Sequence, residues 1–140
     1  MLDSVDVANR LRPVLLQLAR QLRRELHSLG VTGGQAALLA AIKSSPGIGT
    51  RELAARENMS APAISGHVKR LERAGLLRRV PHPADRRRVG LEVTEAGLRL
   101  LRSVRSRRTA WLASRLKGLS ARELDAIDAA IEPLQELMAR

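Results

Sequence analysis

The chain has 140 residues, 44% hydrophobic and 28% charged, enough to close one folded core; its longest apolar run, residues 36–42, is far short of the roughly 20 residues that cross a bilayer, so no membrane segment or signal peptide is expected and the protein is read as cytoplasmic. The absence of cysteine excludes a disulfide scaffold, a thiolate metal site and a cysteine redox sensor. A net charge of +11 with one Trp and no Phe or Tyr favours a polyanionic partner and, among nucleic acids, duplex DNA, because single strands and RNA are typically held by stacking bases on aromatic rings.

Leu11, Leu15, Leu18, Leu22, Leu26 and Leu29 fall at steps of three and four, the apolar stripe of a helix over residues 11–29. Pro13 marks its first turn or a kink, and Gly30 ends it. Thr32 is placed to cap a second helix, to about residue 43, with Ala36, Leu39, Ala40 and Ile42 inward. Residues 44–47, Ser-Ser-Pro-Gly, break it. Thr50 is placed to cap a short third helix with Leu53 and Ala54 inward, followed by a tight turn at Asn58 and Met59. Ser60 can cap a fourth helix whose first turn tolerates Pro62. Ile64, Val68 and Leu71 form its buried stripe, and Gly75 stops it.

From Leu76 the period changes from helical to alternating. Residues 77–80 and 89–93 read as two short strands, the second with Val89, Leu91 and Val93 on one face. Residues 81–88 between them are a polar hairpin tip rich in arginine. Thr94 then begins a long helix to about residue 117, with Leu98, Leu101, Val104, Trp111, Leu112 and Leu116 as apolar positions. Ser120 and Glu123 have capping-box spacing ahead of a last helix carrying Leu124, Ile127, Ile131, Leu134 and Met138, which Pro133 should kink.

The fold class that follows is mainly α with a small antiparallel β-hairpin wing. A winged helix-turn-helix core over 32–97 is flanked by terminal helices, 5–29 and 98–140, within a single chain of residues 1–140. In such a core the second helix of the pair enters the major groove while the first braces it. The fourth helix suits that role. Beside the Ser60 cap and Pro62, its outward set is Ala61, Ala63, Ser65, Gly66, His67, Lys69, Arg70 and Arg73. Small residues near its start let the backbone approach DNA, Ser65 and His67 can bond base edges, and the basic residues suit phosphates. On the hairpin, Arg86, Arg87 and Arg88 can reach a minor groove, Arg87 foremost. Asp85 among them is read as a local tether for one guanidinium.

Positive charge is central in sequence. Residues 66–97 hold eight Lys/Arg against four acids, 98–118 hold seven against none, and 119–140 hold two against five. Arg105 and Arg108 in the middle segment can serve an anionic effector, extend a DNA-binding surface, or lie in solvent. His27, His67 and His82 fall on three different elements without metal-ligand spacing, so no metal site is expected. No phosphate loop, nucleophile motif or paired-carboxylate cluster stands out; neither catalysis nor a cofactor is expected. Asp125, Asp128 and Glu132 read as a solvated face.

The run from Thr50 to Ala54, the segment from Met59 through Val68-Lys69-Arg70-Leu71-Glu72-Arg73-Ala74-Gly75-Leu76-Leu77-Arg78-Arg79, and the wing Asp85-Arg86-Arg87-Arg88 followed by Leu91-Glu92-Val93-Thr94-Glu95-Ala96-Gly97 together resemble the MarR family of transcriptional regulators. The Asp-Arg-Arg wing with its Leu-x-Val-Thr strand end is the more specific part. The resemblance implies a homodimer whose terminal helices intertwine, here through Leu11, Leu15, Leu18, Leu22, Trp111, Leu124, Ile127, Ile131 and Leu134. It also implies binding to a pseudo-palindromic operator, as a repressor, and release by a small aromatic or anionic effector in a cleft between the winged and dimerisation parts. The alternatives are a non-specific architectural DNA-binding protein, for which basic groups alone would suffice on the fourth helix, and a winged helix that binds only protein.

Overall fold

The computed structural model describes residues 1–139. In chain order it contains α1 (Ser4–Arg24), a 3₁₀ turn (His27–Leu29), α2 (Gly33–Ser44), α3 (Thr50–Arg56), α4 (Ala61–Arg73), β1 (Leu77–Pro81), β2 (Val89–Val93), α5 (Glu95–Leu116) and α6 (Ala121–Glu136). The mainly α fold with one hairpin wing is as the sequence predicts.

Four helices start where a hydroxyl can take an orphan backbone N–H. Thr32 accepts from Gln35, Ser60 from Ala63, Thr94 from Gly97 and Ser120 from Glu123. Thr32 and Ser120 form full capping boxes, with Gln35 and Glu123 reaching back to the cap N–H. Other boundaries differ from expectation. The first helix begins at Ser4, where the Asp3 carboxylate accepts the Val5 N–H. Pro13 therefore lies inside the helix rather than in its first turn. The helix also ends earlier, at Arg24, and Leu26 and Leu29 belong to the tighter turn that follows. Thr50 is the first residue of α3 rather than its cap; Gly49 holds that position without a side-chain bond.

The main core lies under α2, α3, α4 and the hairpin. Leu38, Leu39, Ile42, Ile48, Leu53, Ile64, Val68, Leu71, Leu77 and Leu91 bury together there. Each such side chain contributes roughly 1.5–3 kcal/mol on leaving water. Leu38, not Ala40, completes the inward face of α2, since Ala40 is exposed. Val89, expected on the buried face of β2, is 48% exposed because the face runs past the edge of the core. A smaller cluster of Leu26, Val31, Ala36 and Val104 seats α5 against the start of α2, and Leu100 packs on both clusters.

β1 and β2 pair antiparallel, with Leu77 opposite Val93 and Pro81 opposite Val89. A third, single-residue strand joins them. Ile48 bridges Leu91, the Gly47 N–H donates to the Leu91 carbonyl at 2.8 Å, and the Leu91 N–H donates to the Ile48 carbonyl at 2.9 Å. The chain crosses so closely here that a Cβ on Gly90 would collide with the Gly47 carbonyl. Gly47 itself has φ +86, a backbone region that favours glycine. The Thr94 hydroxyl donates to the Gly75 carbonyl at 2.6 Å and fixes the start of α5 on the hairpin.

No residue of α1 or α6 is buried. Pro133 lies within α6, which runs on to Glu136 and leaves Met138 beyond its end. No helix among the described residues is long and apolar enough to cross a membrane.

Candidate nucleic-acid interface

The turn between α3 and α4 is set by Asn58, whose φ of 52 lets the chain reverse at modest cost for an Asn. The Met59 N–H then donates to the Ala54 carbonyl at 2.9 Å. Ile64, Val68 and Leu71 bury one stripe of α4 against the core. The opposite face presents Ala61, Pro62, Ser65, Lys69, Arg70 and Arg73 to solvent, beside the exposed Ser60 cap. Ala63, Gly66 and His67 are half-buried. His67 thus departs from the outward set. It stands three residues after Ile64 and four before Leu71, on the flank of the buried stripe, and its Nδ1 is buried without a hydrogen-bond partner.

In the hairpin tip the Asp85 carboxylate accepts the Arg87 backbone N–H at 3.0 Å and the Arg87 Nε at 3.2 Å. These bonds, the backbone one first, hold the Asp85 carboxyl below its ordinary range. The tether is therefore real and its object is Arg87, whose side chain is still 92% exposed. Arg86 is exposed and forms no ion pair among the described residues. Arg88 turns back, with its guanidinium 3.6 Å from Glu52 of α3.

The same Glu52 oxygen lies 2.7 Å from the Nε2 of His82, a buried ring at the base of the wing. Sequence reasoning gave His82 no role and did not single out Glu52. Glu52 belongs to an exposed helical position, and its partner lies 30 residues away, so no local spacing signals the pair. The His82 hydrogen bond is the first cause, and the charge of Arg88 a further one, that hold the Glu52 carboxyl below its ordinary range. Ion pairs also bind Arg79 of β1 to Glu72 of α4 and Arg78 to Glu92 across the strands.

A cleft of about 710 Å³ opens between α1, the start of α2 and α5, lined by Leu22, Arg23, Leu101, Val104, Arg105 and Arg108 among others, with no carboxylate in its wall. The Arg108 Nε is buried there without a partner. Trp111 is half-buried further along α5, with the Arg115 guanidinium 5.5 Å from its ring centre. Leu11 and Leu22 are half-buried; Leu15, Leu18, Leu124, Ile127, Ile131 and Leu134 are exposed. Among the described residues, no three His, Asp or Glu side chains gather as a metal site would require.

A helix, a tight turn and a second helix with a basic outer face, followed by a hairpin with arginines at its tip, define a winged helix-turn-helix protein. The sequence profile described as the MarR family matches residues 29–88. Over 139 residues the chain is 32% identical to the HTH-type transcriptional regulator MT0903.1 of Mycobacterium tuberculosis, covering 99% of this chain and 97% of that one. The HTH-type transcriptional repressor MdtR of Bacillus subtilis is 26% identical over 119 residues, 85% of this chain and 77% of the relative. A mutant of Staphylococcus aureus MepR solved bound to an oligodeoxyribonucleotide has the same fold, with a TM-score of 0.72 at 19% identity over 94% of this chain and 97% of that one. The chain belongs to the MarR family of transcriptional regulators, and it is not an enzyme.

Proposed function

We propose that this regulator is a homodimeric repressor that binds a pseudo-palindromic operator and is released by a small anion, aromatic or not. The observation that carries the reading is one module presenting two complementary surfaces: the exposed Ser65, Lys69, Arg70 and Arg73 of α4, and the outward Arg86 and Arg87 of the wing. In this reading the core of residues 32–97 docks α4 in the major groove. Ala61, Pro62, Ala63 and Gly66 allow close approach, Ser65 reads base edges, and Lys69, Arg70 and Arg73 hold phosphates. The free N–H groups after Ser60 favour a further phosphate. His67 offers an edge contact only through its outer nitrogen. Arg86 and Arg87 reach the adjacent minor groove.

The terminal parts, 5–29 and 98–140, supply the second copy. The apolar stripes of α1 and α6 within them have no residue buried by their own chain, and two copies related by a twofold axis present two α4 helices to half-sites one helical turn apart. The cleft walled by Arg23, Arg105 and Arg108 suits a small anion. It need only prefer the half-site spacing that does not fit DNA in order to weaken binding. The names of MdtR and of the DNA-bound MepR agree with repression and with a DNA partner. A cytoplasmic location follows from that partner.

Duplex selection from a randomised DNA pool at near-physiological salt, with the bound species sized in solution, tests the reading. Enrichment of an inverted repeat bound by a dimer is the expected result. Salt-sensitive binding without an enriched sequence would instead make the protein an architectural binder.

A further inference from the structure

The three wing arginines share a loop of a few residues yet have different settings. Arg87 stands out in solvent, Arg86 is unpaired among the described residues, and Arg88 is drawn back toward α3. We infer that His82 is the positioning residue that produces this sorting. It fastens the wing to the helix-turn-helix through Glu52 and so aims Arg87 at DNA. This rests on the DNA-contacting wing proposed above.

The ring is fixed at every polar point. The Ala84 backbone N–H donates to His82 Nδ1 at 3.1 Å. In the neutral ring Nδ1 is therefore the acceptor, so Nε2 carries the proton and donates it to Glu52 at 2.7 Å. The His82 backbone N–H donates to the Arg88 carbonyl at 3.0 Å and closes the loop at its neck. Three residues of the neck, His82, Ala84 and Arg88, and one of α3 are thus joined through His82.

The surroundings are built for the contact. A Cβ on Gly49 would lie 3.1 Å from the Glu52 oxygen and 3.5 Å from the His82 ring, so glycine leaves that junction open. A Cβ on Gly47 would press on the Pro83 ring at 2.6 Å, so the neighbouring residue of the neck also sits on the α2–α3 connection. An isolated two-stranded ribbon is marginal in water. Without an anchor the tip must be ordered when DNA binds, at a cost in affinity. With Glu52 engaged by His82, its carboxylate also stays beside Arg88 and keeps that guanidinium from the tip. Arg87, braced by Asp85, is left as the outward cation.

A double-mutant cycle on an operator duplex from the selection above distinguishes positioning from plain packing. Arg87→Ala should weaken binding roughly tenfold. His82→Ala should weaken it roughly three- to tenfold alone, and hardly further when combined with Arg87→Ala, because a residue that acts through another is not additive with it. Glu52→Ala attacks the same contact from a half-exposed helical position, where no core side chain is removed, and should reproduce the pattern. His82→Gln, whose amide can still donate to Glu52, should restore most of the affinity. Additive losses, or losses that follow melting temperature and are not rescued by Gln, would overturn the inference and leave the wing contact standing. If Arg87→Ala binds as the wild type does, the wing reading falls and the positioning role with it.

Discussion

Two glycines of this chain have opposite reasons to be glycine, and exchanging each for alanine separates stability from function. Gly90 lies where β2 meets the Gly47 carbonyl, and its missing Cβ lets residues 47–48 pair with Leu91. Gly90→Ala should lower the unfolding free energy by roughly 1–3 kcal/mol, the usual cost of overpacking, read by denaturant titration. Gly66 sits on α4 with nothing within 4 Å of the Cβ it lacks. There alanine should stabilise the helix by roughly 0.5–1 kcal/mol. If the bare backbone is kept for approach to DNA, the more stable Gly66→Ala protein should bind its operator less tightly; equal or tighter binding would remove the close-approach argument. The wing carboxylates make a further prediction at this scale. Glu52 and Asp85 are held below their ordinary values of 4.5 and 3.8, chiefly by the His82 side chain and by the Arg87 backbone N–H. A group whose pKa is lowered by folding adds stability above its unfolded pKa and loses it as pH falls through the folded value. Glu52→Gln should therefore melt below the wild type at neutral pH, and the two should converge once the pH falls below 4.5. A gap that persists unchanged in acid would mean that the charge contributes nothing.

At the scale of elements, α6 is the plainest case of a helix that its own chain does not explain. Leu124, Ile127, Ile131 and Leu134 recur at helical spacing and all stay exposed, while the core clusters draw nothing from the helix. Ile131→Glu should leave the winged core folded, because no core side chain is touched. In the proposed dimer it forces a carboxylate into apolar surroundings, which costs several kcal/mol, so the dimer dissociation constant should rise by roughly 100-fold or more. Sedimentation across a concentration series reads this, and a dimer of unchanged strength would place α6 outside the interface. The same elements show what is legible along a sequence. The caps at Thr32, Ser60, Thr94 and Ser120, the stripe of Ile64, Val68 and Leu71, and the Asp85 tether are local in sequence, and each was readable from residue type and spacing. The leucine stripe of α1 begins only at Leu11, so periodicity did not report the first turns, from Ser4, which the terminal-helix range 5–29 nearly reached. The cap at Gly49 was missed because glycine signals a cap weakly. The pairing of Ile48 with Leu91 and of His82 with Glu52 depends on chain segments that meet only after folding, and no periodicity reports them.

For the whole molecule the central quantity is charge, +11 over 140 residues, and its placement. Lys69, Arg70, Arg73 and Arg86 are exposed on α4 and the wing, and Arg87 points outward there although Asp85 holds its Nε, whereas Arg78, Arg79 and Arg88 are engaged with Glu92, Glu72 and Glu52. The outward cations on the proposed DNA face are thus fewer than the composition suggests, and the salt response should reflect these. Each neutralised phosphate contributes a slope of about −0.9 to log affinity against log salt. If about half of the roughly ten outward cations in a dimer meet phosphates, the slope should be near −4 or steeper, and Arg87→Ala should reduce its magnitude by up to about 2. Fluorescence anisotropy on the operator duplex measures it. A scrambled duplex measured beside it decides what kind of DNA-binding protein this is. Phosphate contacts carry no sequence information, so both duplexes should weaken with salt. A regulator that also reads bases keeps an affinity gap between them at every salt concentration. An architectural protein would show two coincident lines, and the side chains of Ser65 and His67 would then have no reader's role.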